Sequence, residues 1–84
     1  MRRIYNIDRR SEAIEEIQRY LLAISYVDDP PYLSHVSIDG IYGDRTRDAV
    51  SNFQKRYRLG VTGEVDLETW LLLYLKYSET EKPV

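Results

Sequence analysis

Apolar residues recur three or four positions apart in three separate stretches of the chain, the spacing of an amphipathic helix. In the first stretch Ile14, Ile17, Leu21 and Ile24 share one face, and Ser11 before them is a good helix N-cap. Gln18 and Arg19 are expected at the edge of that face. The pattern predicts an all-α fold, a compact three-helix bundle with a long loop between helices 1 and 2. The predicted helices cover about residues 12–26, 44–57 and 67–77.

A glycine-bracketed stretch, Asp39-Gly40-Ile41-Tyr42-Gly43, delivers the chain into the second helix. Asp-Gly is typical of a tight turn, Ile41 is expected to point inward, and Gly43 to supply conformational freedom at the helix start. Gly60 is the predicted exit residue. The predicted buried face of this helix consists of Thr46, Ala49, Val50, Phe53 and Tyr57.

A weaker copy of this arrangement precedes the third helix, at Thr62-Gly63-Glu64-Val65 and onward to Thr69. In the two copies Gly40 matches Gly63, Tyr42 matches Val65 and Thr46 matches Thr69. Because a repeated arrangement is most simply architectural, we expect both threonines to support the turns by local hydrogen bonds.

The segments between and outside the helices complete the predicted organisation. Asp28-Asp29-Pro30-Pro31 should end helix 1, because paired prolines remove two backbone donors. Helix 3 is apolar nearly all round, so the N-terminal arm or another protein should cover its second face. The predicted division is an N-terminal arm at 1–10, a domain at 11–77 and a flexible polar tail at 78–84.

Composition excludes several functional classes. The 84 residues suffice for one small core and no deep cleft. With no cysteine and one histidine, neither a thiolate nor a typical zinc site is expected, and no cofactor or metal is predicted. Twelve basic against fourteen acidic residues argue against nucleic-acid binding, and the short apolar runs argue against a membrane span. The charged first ten residues do not have the pattern of a secretory signal.

Two further classes are rejected on the pattern itself. A helix-turn-helix DNA reader would place helix 3 in the major groove, but that helix begins Asp66-Leu67-Glu68 and presents leucines and acids. An enzyme needs paired carboxylates, or a nucleophile with a base, across a cleft. Because no such set is apparent, we predict a noncatalytic protein.

From about Ile14 to Leu73 the ordered pattern resembles the type 1 peptidoglycan-binding domain. Three groups of residues carry the resemblance. The first is Ile17-Gln18 with Leu21, and the second is the Asp39 to Gly43 turn with the helix after it. The third, near the start of helix 3, is Leu59, Val61, Gly63 and Thr69-Trp70. The sequence departs from the family where Arg58 replaces the glycine that usually ends helix 2, so we expect a longer or more strained exit there. Asp44 replaces a common proline, and the loop from Pro30 to Ser37 is longer.

The resemblance implies a three-helix module that binds peptidoglycan without chemistry of its own. The predicted partners are the peptidoglycan glycan or stem peptide and a fused or associated cell-wall hydrolase. The implied place of work is extracytoplasmic, at the cell wall or spore envelope, although this chain shows no signal peptide. The predicted ligand-binding residues are Asp39, Gly40, Tyr42, Gly43, Asp44, Arg45 and Tyr32.

Each candidate residue also has a structural interpretation. Asp39 could accept hydrogen bonds from a ligand or from its own turn, and Tyr42 could stack on a sugar or belong to the core. Arg45 could bind stem-peptide carboxylates or simply be solvated. The alternative function is a protein-interaction or self-association module, a monomer or weak dimer through helix 3, using Leu72, Leu75 and Tyr74 or Tyr77.

Overall fold

The computed structural model describes residues 12–27 and 36–81 of the chain. Three α-helices form the regular structure of these residues: α1 (Glu12–Val27), α2 (Asp44–Arg56) and α3 (Leu67–Thr80). They pack as a small helical bundle in which α1 contacts α3 more extensively than it contacts α2. The predicted all-α three-helix fold is therefore confirmed. The Pro30–Pro31 stop and most of the long loop lie outside the described residues.

The core lies where the apolar stripes of the three helices meet. Phe53 of α2 is fully buried at its centre, and Leu73 of α3 and Val65 before α3 close it from the other side. The buried apolar residues of α1 are Ile14, Ile17, Tyr20, Leu21 and Ile24. The helical spacing thus identified the buried face of α1 except for Tyr20 and one polar residue, described below.

Aromatic side chains join α1 to α3. The ring of Tyr20 stacks on Tyr77 at 4.4 Å and on Trp70 at 5.4 Å between centroids. The Tyr20 hydroxyl donates to Glu16 Oε2 at 2.6 Å, and burial together with this bond raises its pKa. Stacked aromatic pairs add stability beyond the area they bury.

Helix α3 is three residues longer than predicted and includes Ser78, Glu79 and Thr80. Local side-chain bonds continue it into the segment that we expected to be tail. The Thr80 hydroxyl donates to the Tyr77 carbonyl, and the Tyr77 hydroxyl donates to Glu81 Oε2 at 2.6 Å.

Helix α2 ends at Arg56, one residue before its predicted end, with Tyr57 as its C-cap and Arg58 at φ 62°. Gly60 is therefore not the exit residue. A positive φ is unfavourable for a residue with a Cβ, so of the two expected alternatives, a longer or a more strained exit, the structure has the strained one.

The exposed face of α3 differs in detail from the predicted one. Leu72 and Tyr77 pack partly buried against the core, whereas Leu71, Tyr74 and Leu75 are each more than half exposed. Among the described residues α3 therefore has an exposed apolar face, in which Leu71 takes the place of Leu72. The N-terminal arm that was predicted to cover this helix lies outside those residues.

Candidate functional site

Gln18 lies in the core and holds the turn before α2, although its sequence position suggested the edge of α1. Its side-chain oxygen accepts from the backbone N–H of Asp39 at 3.0 Å and of Gly40 at 2.9 Å. Its amide nitrogen lies 3.0 Å from Asp39 Oδ1, the Ile41 carbonyl and Thr46 Oγ1. One fully buried side chain therefore fixes both the turn and the first turn of α2.

Gln54 makes the same arrangement at the turn before α3. Its oxygen accepts from the N–H groups of Thr62 and Gly63, both at 3.0 Å. Its nitrogen lies 3.0 Å from the Glu64 carbonyl and from Thr69 Oγ1. The predicted supporting role of the two threonines thus holds, but each bonds to a buried glutamine that our sequence interpretation did not place in the core.

A shared sequence context could have identified the two glutamines. Each follows a buried apolar residue, Ile17 or Phe53, and in each helix another apolar residue, Leu21 or Tyr57, comes three positions later. The two turn glycines are also equivalent, because Gly40 and Gly63 have φ values of 73° and 75°. Only glycine adopts that conformation readily.

Tyr42 connects the two turns from inside the core. Its side chain is 8% exposed, and its hydroxyl donates to the carbonyl of Gly63 at 2.5 Å. Burial raises the pKa of Tyr42 to about 12, while the Arg47 guanidinium 5.6 Å from the ring centroid opposes the rise. The ring therefore presents no broad face on which a sugar could stack.

Ile41 points outward and not inward as expected, since it is 38% exposed. The second turn explains why: its equivalent residue there is the polar Glu64, whereas buried Tyr42 matches buried Val65. Placing the two copies side by side would have predicted which neighbour enters the core.

Four of the predicted site residues surround one shallow depression with a volume of about 150 Å³. We call it the turn depression, and it lies where the first turn meets α2. Asp39 contributes to the turn itself, because its Oδ1 accepts from the Ile41 N–H at 3.0 Å. The lining residues are Ser37, Asp39, Ile41, Gly43, Asp44, Arg45 and Thr46.

The start of α2 opens into the turn depression without a capping side chain. Gly43 is the N-cap and has φ −102° and ψ −164°, an extended conformation that any residue can adopt. A Cβ built on Gly43 would meet nothing within 4 Å. Neither backbone nor space therefore requires a glycine here, contrary to our expectation that Gly43 supplies conformational freedom.

The equivalent residue of α3 shows what a side chain at this position does. Asp66 has nearly the same backbone, φ −95° and ψ −174°, and its carboxylate accepts from the Thr69 N–H at 2.9 Å. The N-terminus of helix α3 is thus capped by the side chain of Asp66. At α2 the corresponding end has no capping side chain and carries the exposed Asp44 and Arg45.

The remaining sequence candidate, Tyr32, is outside the described residues. Within residues 12–27 and 36–81 no group of three or more His, Cys, Asp or Glu side chains is placed to hold a metal ion. In the same part of the chain none of the helices has the length and apolar character needed to cross a membrane.

These features define a small helical binding module built on two copies of a glutamine-held turn. The family model of the peptidoglycan binding domain matches residues 10–73, most of the chain. The chain belongs to this family, whose members are binding domains associated with the cell wall. A search of curated proteins and a search of solved structures found no significant match.

Proposed function

We propose that the chain is a noncatalytic module that anchors an associated envelope protein or cell-wall hydrolase on peptidoglycan, with the turn depression as its contact for the stem peptide. Family membership supports peptidoglycan as the partner. The observation that carries the site is the absence of a side chain at Gly43, in a position where neither the backbone nor the surroundings require glycine.

An open helix N-terminus favours an anion, because its first N–H groups point outward and carry partial positive charge. Stem peptides offer carboxylates, and Arg45 can add a charge-assisted hydrogen bond to one of them. Asp39 and Asp44 give the same depression an acidic side, which suits a ligand that carries amines as well.

The proposal predicts that the chain cosediments with purified sacculi and that Arg45→Glu weakens this retention. Arg45 is exposed, so the substitution should not disturb the fold. Lys55→Glu is the matched control, since Lys55 is exposed near the other end of the same helix and undergoes the same charge change. Absence of retention of the unaltered chain over a range of salt concentrations would refute the function.

Gly43→Asp separates binding from folding damage. By analogy with Asp66 the new carboxylate should cap α2, and an aspartate N-cap is more stable than a glycine N-cap by roughly a few tenths of a kcal/mol. It should also occupy the N–H groups offered to the ligand, so retention by sacculi should fall while the melting temperature is kept or slightly raised. If Gly43→Asp and Arg45→Glu both bind like the unaltered chain, the turn depression is not the site.

A second candidate function is supported by the uncovered face of α3. Leu71, Tyr74 and Leu75 are exposed beside a shallow apolar depression formed with Leu59 and Leu72. Exposed apolar patches often mark contacts with other proteins. Light scattering at high concentration tests the self-association version, and a strict monomer would remove it.

A further inference from the structure

A second and larger groove lies between the C-terminal halves of α1 and α3. Its volume is about 640 Å³, within the range of pockets that take small organic ligands. We call it the α1–α3 groove. Its lining includes Arg19, Leu22, Tyr26, Ile38, Tyr77 and Glu81.

The lining combines aromatic and aliphatic surface with polar groups of both kinds. Leu22 and Ile38 provide apolar contact, and Tyr26 is 80% exposed, an unusual position for so large an aromatic side chain. Arg19 supplies donors and Glu81 an acceptor. This composition suits a ligand with hydroxyl or amide groups at its edges and apolar C–H faces, as in a pyranose ring.

Neighbouring residues on α1 and α3 position the polar groups. Arg19 Nη2 lies 3.2 Å from Glu15 Oε1, one turn earlier on α1, and this contact engages only part of the guanidinium. The Tyr77 hydroxyl donates to Glu81 Oε2 at 2.6 Å. One cation and one anion at the groove match an uncharged ligand better than a strongly charged one.

A single short segment separates this groove from the turn depression. Ile38 lines the α1–α3 groove, whereas its neighbours Ser37 and Asp39 line the turn depression. A branched ligand could therefore place one arm on each side of residues 37–39. Peptidoglycan is such a ligand, because peptides branch from its glycan strand.

We propose that the α1–α3 groove binds the glycan strand, a β-1,4-linked N-acetylhexosamine chain, with the Tyr26 ring stacked on one sugar. This inference rests on the proposed wall-binding function and assigns the glycan to a different concavity from the stem peptide. The apolar face of α3 does not suit the glycan, since its depression is lined by four leucines and one glutamate.

The test is titration of the ¹⁵N-labelled chain with the tetramer of N-acetylglucosamine, which contains the sugar linkage and no peptide. We expect shifts of the backbone amides of Leu22, Tyr26 and Ile38. Tyr26→Ala should weaken binding about tenfold, equivalent to about 1.4 kcal/mol. Tyr26→Phe keeps the ring and should bind within about threefold of the unaltered chain.

Leu75→Ala is the control, since it removes exposed apolar surface of α3 outside this groove. Because Tyr26 is exposed, its variants should keep the helical circular dichroism of the unaltered chain. The inference is overturned if the tetramer causes no shifts, if the shifts map to residues 43–46, or if Tyr26→Ala binds as tightly as Leu75→Ala.

Failure of this inference is distinguishable from failure of the proposed function. If sacculi retain the unaltered chain but the tetramer does not bind, the glycan assignment is wrong and wall binding stands. If sacculi do not retain the chain, wall binding is wrong, and the titration still decides whether the groove takes a sugar.

Discussion

Replacing Gln18 by methionine should strongly destabilise the fold, because the side chain keeps its length and loses its hydrogen bonds. Gln18 is fully buried and contacts five polar groups of the first turn and of α2. Methionine fills a similar volume, so the substitution tests the hydrogen bonds more than the packing.

The magnitude follows from the groups left without a partner. The N–H groups of Asp39 and Gly40 lose their acceptor, and the buried Thr46 hydroxyl loses a donor. A buried polar group left unsatisfied costs about 1–3 kcal/mol, and the turn can relax toward water at its exposed side. We therefore expect a loss of about 3–5 kcal/mol, a large part of the typical stability of a small domain, about 5–15 kcal/mol.

Urea denaturation followed by circular dichroism measures this loss. Gln54→Met, which removes the equivalent contacts at the second turn, should cost a similar amount. Arg19→Met is the control, because the neighbouring exposed side chain should change stability by less than about 0.5 kcal/mol. If Gln18→Met costs less than about 1 kcal/mol, the glutamine does not hold the turn.

Four further substitutions, one of them a control, test the turns and the helix exit by the same unfolding measurement. Gly63→Ala should lower the free energy of unfolding by at least about 1–2 kcal/mol, because φ is +75° and the new Cβ would lie 2.9 Å from Arg47 Cγ. Gly60→Ala is the control and should be nearly neutral, because a Cβ at Gly60 would have no atom within 4 Å. Arg58→Gly should stabilise by about 1 kcal/mol by relieving the positive φ, and an unchanged or lower melting temperature would contradict that. Burial raises the pKa of Tyr42 to about 12 from 10.0, so the unfolded chain loses this proton first. Tyr42 should therefore contribute a fall in stability of about 2 kcal/mol between pH 10 and 12, and Tyr42→Phe should remove that contribution. An equal fall in both proteins would refute the link.

Helical spacing predicted the three helices because long amphipathic stretches repeat the same signal many times. The exact helix ends depend on single interactions, and α3 continues three residues past its predicted end at Tyr77. Arg58 accepts a strained conformation that sequence patterns assign to glycine. The last turn of α3 is held by side-chain bonds of Tyr77 and Thr80, which periodicity does not register.

The buried glutamines were missed because a pattern of apolar and polar positions assigns every polar residue to the surface. A buried amide is stable only when all its partners are supplied, and those partners lie in turns distant along the chain. Gln18 bonds to a segment more than twenty residues away. The signal that could have identified the glutamines is the sequence context they share on α1 and α2, together with the two turns that they hold.

The duplicated turn also shows where the two copies serve different purposes. Both copies use a buried glutamine, a glycine with positive φ and a threonine. Because these residues occur in both turns, their role is structural and they do not indicate which turn binds a ligand. The copies differ at the helix N-cap, where Asp66 closes α3 with its own carboxylate and Gly43 gives α2 no side-chain cap. An aspartate N-cap is more stable than a glycine N-cap by roughly a few tenths of a kcal/mol, so a glycine that the backbone does not require leaves a small amount of available stability unused. Such a departure from the stable solution is expected where a ligand supplies the missing partner. The case for the turn depression therefore rests on the difference between the two copies.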